Sequence, residues 1–434
     1  MYFTMTFKGD FNKMKKGLSC LALVGLVASM AACSGTSSSS NSDTTNSSTI
    51  KVGLITLHGD TSTYDKNFID AFNAAANKVG VKAIVSTGVY ETDAAYSAAT
   101  TLVEGGCKFI FADSFGHESY ILKAAKENKD VEFGHATGTM AHTEKVSNFH
   151  NAFASIYEGR YLAGVAAGLK LQSMIQADST TSKVVGYVGA HPYAEVISGY
   201  TSWFLGVRSV VEDATMVVKY TNSWYDETAE KTVAEDLINN QHCSIISQHA
   251  DSWGAPNACE NAGVPNVTYN GSTESQCPNT YLISSKVNWE PYFEYAFNCV
   301  KEGKSMETDY YGTLGDGLYD GSVALTEPGK KAAVDGTEDQ LKEVAKDLKD
   351  GKLKVFDTSK FTVKNAKASD TAGKITVDSN NHLTQYKADV NTDTNYTPDT
   401  DVVKTTNGIT YFAESEYRSA PYFDIIIDGI TELK

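Results

Sequence analysis

Lys183-Val-Val-Gly-Tyr-Val-Gly189, Ala190-His-Pro-Tyr-Ala-Glu195 and the residues onward to Asp226 decide how this chain folds. The first piece is a short apolar run, the pattern of a buried strand. The second is a loop. Val196, Tyr200, Phe204, Val207 and Val211 then recur at the spacing of one stripe on a helix. Residues 215–220 form a second strand, which runs into Thr221-Asn-Ser-Trp-Tyr-Asp226 ahead of another helix. The loops of this strand-loop-helix unit carry aromatic, amide and acidic groups where strands end. In open parallel sheets a ligand sits beyond the carboxyl ends of the strands. These loops are therefore expected to form half of a cleft for a small, flat, polar molecule.

The same cadence extends to both sides. Residues 51–56, 82–86, 109–112 and 131–135 read as strands, and Phe68, Phe72, Ala75 and Val79 mark one of the helices between them. A Gly- and Ala-rich helix at 156–171 follows, and strands then recur at 183–189, 215–220, 244–248, 265–269 and 281–285. Each crossover is long enough to carry a helix between parallel strands, which predicts an α/β fold of two doubly wound parallel-sheet lobes around a ligand cleft. The expected division is 50–155 for lobe 1, with return segments after about residue 286, and 156–285 for lobe 2. Residues 330–434 form a C-terminal extension packing on a lobe. Within it, 338–349 reads as an amphipathic helix and 352–356 as a strand. Residues 366–406 read as exposed hairpins, and Phe423-Asp-Ile-Ile-Ile-Asp428 as an apolar tail.

The N-terminus reads as an address. Lys13, Lys15 and Lys16 precede an apolar run at 18–30, which ends in Ala31-Ala32-Cys33. Basic, apolar and small-residue regions in that order make a secretory signal, and the run is shorter than the ~20 residues of a membrane-spanning helix. Met14 is read as the true start. Small residues before a cysteine resemble the bacterial lipoprotein signal, so 1–33 is expected to be a signal peptide with Cys33 as the lipidated residue; a plain secreted protein is the alternative. Residues 34–49 are nearly all Ser, Thr, Asn, Gly and Asp and cannot bury apolar surface, which suits a flexible tether. The chain of 434 residues carries a formal net charge of −16, which argues against nucleic acid as a partner.

Five cysteines follow Cys33, with no Cys-x-x-Cys. One disulfide, such as Cys259 with Cys277, and five buried thiols are both open. His135, His142 and His150 fit no metal-ligand spacing. No phosphate-cradling, zinc-protease or nucleophile-elbow motif is present, so neither an enzyme nor a cofactor is expected.

What carries chemistry is the set of strand-end loops. Tyr64, Phe115, Tyr193 and Trp224 offer ring faces for a flat heterocycle, and Asp226, Asp251 and Asn270 offer donors and acceptors for its edge. Asp65, Ser114 and Trp289, at the head of an aromatic-rich helix, complete the candidate ligand-binding set. Asp65 and Asp226 have helix capping as the competing reading, Phe115 has plain packing, and Glu195 a salt bridge to a neighbouring loop.

Lys51-Val-Gly-Leu-Ile-Thr56, Tyr157-Glu-Gly-Arg-Tyr-Leu-Ala-Gly164, Val185-Gly-Tyr-Val-Gly189, Asn222-Ser-Trp-Tyr-Asp226 and Gln248-His-Ala-Asp-Ser252 together resemble the basic membrane protein family of lipoproteins. The resemblance covers about 50–329, plus Gly351-Lys-Leu-Lys-Val-Phe356. It implies a type I periplasmic-binding fold that captures a purine base or nucleoside for an ABC permease and its ATPase, as a lipid-anchored monomer on the extracytoplasmic face of the membrane. It places Tyr64, Phe115 and Trp224 at family aromatics and Asp251 and Asn270 at polar positions of the second lobe. Nucleoside-binding members carry an aspartate-rich first loop and an acid near Asn270; Ser62-Thr-Tyr-Asp65 and Asn270 here favour a free base. A sugar as ligand, and a ligand-sensing receptor module, are the competing readings.

Overall fold

Two runs of alternating strand and helix make two separate sheets. The computed structural model describes residues 49–366, 374–388, 390 and 400–433. The signal region, Cys33, most of the tether and parts of the polar C-terminal stretch lie outside the described residues.

The first run is β1 (Lys51–Ile55), α1 (Thr63–Val79), β2 (Lys82–Ser86), α2 (Asp93–Glu104), β3 (Cys107–Ala112), α3 (Glu118–Glu127), β4 (Glu132–Ala136), α4 (Met140–Glu144) and β5 (Phe149–Ala154). Helix α5 (Ile156–Ala177) crosses to the second run. This comprises β6 (Val184–Gly189), α6 (Ala194–Arg208), β7 (Thr215–Tyr220), α7 (Glu227–Asn239), β8 (Ile245–Gln248), α8 (Gly254–Ala262), β9 (Asn266–Tyr269) and β10 (Tyr281–Val287). The chain then returns through α9 (Glu290–Glu302) to β11 (Asp309–Gly312), and crosses again to β12 (Val323–Leu325) and α10 (Thr337–Lys349).

The first sheet has the order β11-β5-β4-β3-β1-β2, parallel throughout. The extension continues as β13 (Val363–Ala366), β14 (Lys374–Val377), β15 (Leu383–Ala388), β16 (Thr400–Asp401), β17 (Val403–Thr406), β18 (Ile409–Phe412), β19 (Ile425–Ile427) and β20 (Ile430–Leu433). The second sheet runs β12-β10-β9-β8-β6-β7-β20, with β12 antiparallel and the other pairs parallel. In both sheets the strand order reverses once, between β1 and β3 and between β6 and β8. Those reversals open a crevice at the strands' carboxyl ends.

The Gly and Ala content of α5 has a packing cause. Gly164 and Gly206 sit where α5 meets α6, and a Cβ at either would collide with backbone of the other helix. Phe68, Phe72, Phe109 and Phe111 are fully buried under the first sheet's helices; Val185, Tyr187, Tyr200 and Trp203 do the same in the second. All five described cysteines are buried free thiols. No described helix is long and apolar enough to cross a membrane.

The structure adds α4, β11 and β12, which the sequence reading did not give, and differs from it elsewhere. Residues 352–356 form no strand, because Phe356 is held by stacking on Phe423, ring centroids 4.3 Å apart, instead of by a ladder. Strand β5 escaped detection because His150 and Asn151 interrupt its apolar run. The apolar tail splits in two: β19 pairs antiparallel with β13, and β20 joins β7 at the edge of the second sheet.

Candidate functional site

The two crevices face each other across one shared cavity. From the first sheet come Leu57 and His58 after β1, Ser114 and Phe115 after β3, Thr137 after β4, and Tyr64 and Asp65 at the start of α1. From the second come Glu195 at the start of α6, Trp224 after β7, His249 and Asp251 after β8, and Tyr269 at the end of β9. The halves are in contact. Thr63 donates through its backbone N–H to the Asp251 carbonyl at 3.0 Å, and the Asn67 side-chain amide donates to the Val287 carbonyl at 2.6 Å. Phe115 and Tyr193 meet across the mouth with centroids 5.5 Å apart.

The surroundings push the acids in opposite directions. Burial alone would raise Asp65, but hydrogen bonds from His58 and Ser62 outweigh it and hold its pKa below the ordinary value. The His58 backbone N–H donates to it at 2.6 Å and the Ser62 hydroxyl at 2.5 Å. Burial, reinforced by the charge on Asp65, pushes both Asp113 and Asp251 well above the usual carboxylate range. One negative charge is thus held on Asp65 while its neighbours are driven toward the neutral acid. A neutral carboxyl presents one donor as well as acceptors. Tyr64, whose hydroxyl donates to the Asp113 carbonyl at 2.8 Å, is held as the phenol by burial foremost and then by Glu195. The Tyr269 hydroxyl is buried with no hydrogen-bond partner.

Of the candidate residues, Tyr64, Asp65, Ser114, Phe115, Trp224 and Asp251 line this cavity. Tyr193 lies over its mouth, 6.0 Å from the Trp224 ring. Three lie elsewhere. Asp226 is the N-cap of α7, accepting the Ala229 N–H at 2.9 Å. Asn270 opens onto an adjoining groove with Thr63, Trp253 and Lys286. Trp289 is 2% exposed and stacks on Phe68 at 4.3 Å, a core residue of the first lobe. His58, Thr137, His249 and Tyr269 line the cavity without having been singled out. Their only signal was a place in a strand-end loop. Among the described residues no cluster of His, Cys, Asp and Glu could hold a metal ion.

Residues 53–355 match the family described as ABC transporter substrate-binding protein, PnrA-like. A purine-binding protein of Brucella abortus is 30% identical over 259 residues, 59% of this chain and 67% of that protein. A putative ABC transporter glucose-binding protein of Haloferax volcanii is 30% identical over 258 residues, 59% of this chain and 61% of that one. In structure the chain is similar to an ABC transporter solute-binding protein of Aeropyrum pernix, with TM-score 0.60 and 18% identity over 71% of this chain and 93% of that one. A second, from Conexibacter woesei, gives 0.57 and 18% over 70% and 98%. At that identity the likeness establishes the fold, two α/β lobes around a cleft of the type I periplasmic-binding kind. The family match spans well over half of the chain, and the chain belongs to the basic membrane protein, or PnrA-like, family of ABC transporter substrate-binding proteins.

Proposed function

We propose that the protein captures a purine base or nucleoside in the interlobe cavity and delivers it to an ABC permease from the extracytoplasmic face of the membrane, tethered through lipidated Cys33. The observation that carries the ligand reading is the company of rings and acids: Tyr64, Phe115 and Trp224 share one cavity with Asp65, Glu195 and Asp251. Rings stack on the faces of a planar base, and carboxyls meet its N–H groups and ring nitrogens. The Brucella relative, named as purine-binding, supports the same reading. Capture proceeds by hinge closure, with contacts from both lobes completed only in the shut form.

A sugar is the second reading, favoured by the name of the Haloferax relative, since ring stacking also serves pyranose faces. A thermal-shift panel of bases, nucleosides, hexoses and amino acids separates the two. A ligand present at one hundred times its Kd adds about 2.7 kcal/mol of stability. A shift with bases or nucleosides and none with hexoses is the expected result; the reverse pattern hands the site to a sugar. Metabolic labelling with a fatty acid, lost in Cys33→Ser, tests the anchor.

A further inference from the structure

Beneath the cavity lies a buried cation with no carboxylate partner among the described residues. Arg160, on α5, is 1% exposed, and its guanidinium sits 3.4 Å over the Tyr269 ring. Its Nη1 donates to the Gln248 carbonyl at 3.0 Å, and its Nη2 lies 3.0 Å from His249 Nδ1. A guanidinium has donors and no acceptor, so Nδ1 accepts, and the hydrogen of a neutral ring sits on Nε2. The Tyr187 hydroxyl, 3.4 Å from the same Nδ1, can add a second donor. Gly199 on α6 makes the approach possible, because a Cβ there would stand 2.8 Å from that nitrogen. Burial, and after it the Arg160 charge, lowers the His249 pKa to about 4, so the ring stays neutral.

Nε2 faces the cavity side. Its partner there is Glu195 Oε1 at 3.5 Å, the long limit of a hydrogen bond. A donor so weakly engaged, on a ring only 3% exposed, is available to a better acceptor. We propose that His249 is a specificity-determining residue whose Nε2–H donates to an unprotonated ring nitrogen or carbonyl oxygen of the ligand, while Glu195 accepts from a ligand N–H. Arg160 is the positioning residue that keeps the hydrogen on Nε2. The inference rests on the cavity being the ligand site and adds the polarity of one contact: the ligand edge at this wall pairs an acceptor with a donor.

Two measurements on the full chain test it. Nitrogen-15 imidazole NMR of the free protein, with the His249 signal assigned by its loss in His249→Gln, reads the tautomer directly. A neutral Nε2–H ring between pH 5.5 and 8 is expected; an Nδ1–H ring, or an imidazolium in that range, overturns the proposal. Calorimetric titration with adenine then compares the wild type, His249→Phe and His249→Gln. His249→Phe is expected to weaken binding about tenfold or more, and His249→Gln, which returns an N–H donor, to recover part of the loss. Unchanged affinity in His249→Phe overturns the assignment while leaving the purine reading intact. If the wild type takes up no base or nucleoside, the purine reading fails and the proposed contact falls with it; loss of the contact alone is read from unchanged affinity in His249→Phe.

Discussion

Asp309 accepts the backbone N–H of Ser419 at 2.7 Å and the Ser419 hydroxyl as well, joining the last strand of the first sheet to a segment 110 residues further on. His142 Nε2 is its third partner, at 2.7 Å. The same extension ends in β20, which is hydrogen-bonded along β7 in the second sheet. One stretch beyond the family match therefore touches both sheets. Removing a buried acceptor strands its donors, at about 1–3 kcal/mol each. Asp309→Ala is expected to lower the unfolding free energy by roughly 2–4 kcal/mol, while Ser419→Ala, which keeps the backbone bond, costs about 1 kcal/mol. Urea denaturation of the two variants measures the difference; equal losses would mean that the Ser419 hydroxyl carries the whole effect and that His142 adds nothing.

How much of this was legible follows from what sequence can encode. The strand-loop-helix rhythm is local, so the two sheets, their parallel sense and the ends at which loops gather could be read from apolar periodicity. Within a loop, sequence does not say which way a side chain points. Trp224 and Trp289 both stand near a strand's carboxyl end, yet one borders the cavity and the other packs on Phe68. His249 sits in a quoted loop, but its role depends on Arg160, 89 residues earlier and on another element. The place of β20 was equally hidden. Its partner β7 lies more than two hundred residues back, and Ile430-Thr-Glu-Leu433 after a Gly429 turn, with two apolar residues in four, fits many edges.

Glu230 gives the pH dependence a definite sign. It is fully buried on α7, accepting the Asp226 N–H at 3.1 Å and the Ser252 N–H at 3.2 Å, and burial raises its pKa from 4.5 to about 7. A raised carboxyl favours the folded state while it is protonated, so this contribution is present at acid pH and fades as pH climbs from about 4.5 through about 7. At 1.36 kcal/mol per pH unit the full span is about 3 kcal/mol. Glu230→Gln cannot ionise. Its stability relative to the wild type should therefore rise across that window and level off above it, with other titrating groups cancelling in the comparison. Denaturation curves at pH 4.5, 6 and 8 check this; a flat difference would show that Glu230 titrates normally.

Charge at the wall predicts which relatives of a ligand are refused. Asp65 and Glu195 line the cavity, and no Lys or Arg does. A 5′-phosphate carried into this site would meet carboxylates in a poorly solvated space, with the Arg160 guanidinium held behind the Tyr269 ring and donating to the Gln248 carbonyl. Adenosine and adenine are expected to raise the melting temperature, and AMP at the same concentration to leave it unmoved. A shift with AMP equal to that with adenosine would place the 5′ position outside the cavity.

The two tryptophans should fail in opposite ways. Trp224 is partly exposed at the cavity wall, its edge against His191 at 4.9 Å and its ring 6.0 Å from Tyr193. Trp289 is stacked on Phe68 and lies 5.6 Å from Phe111 in the first lobe's core. Deleting a ring that stacks on a base costs about 1–3 kcal/mol of binding, roughly ten- to a hundredfold in Kd; deleting a buried one leaves a cavity worth about 3–5 kcal/mol of stability. Trp224→Ala should therefore weaken base binding in a protein that unfolds near the wild-type denaturant midpoint. Trp289→Ala should unfold much earlier and, below its own midpoint, still bind with near-wild-type affinity. Calorimetry and urea unfolding on both variants give four numbers. If Trp224→Ala loses stability and keeps affinity, its ring belongs to the packing between loops, and the ligand's faces are gripped by Tyr64 and Phe115 without it.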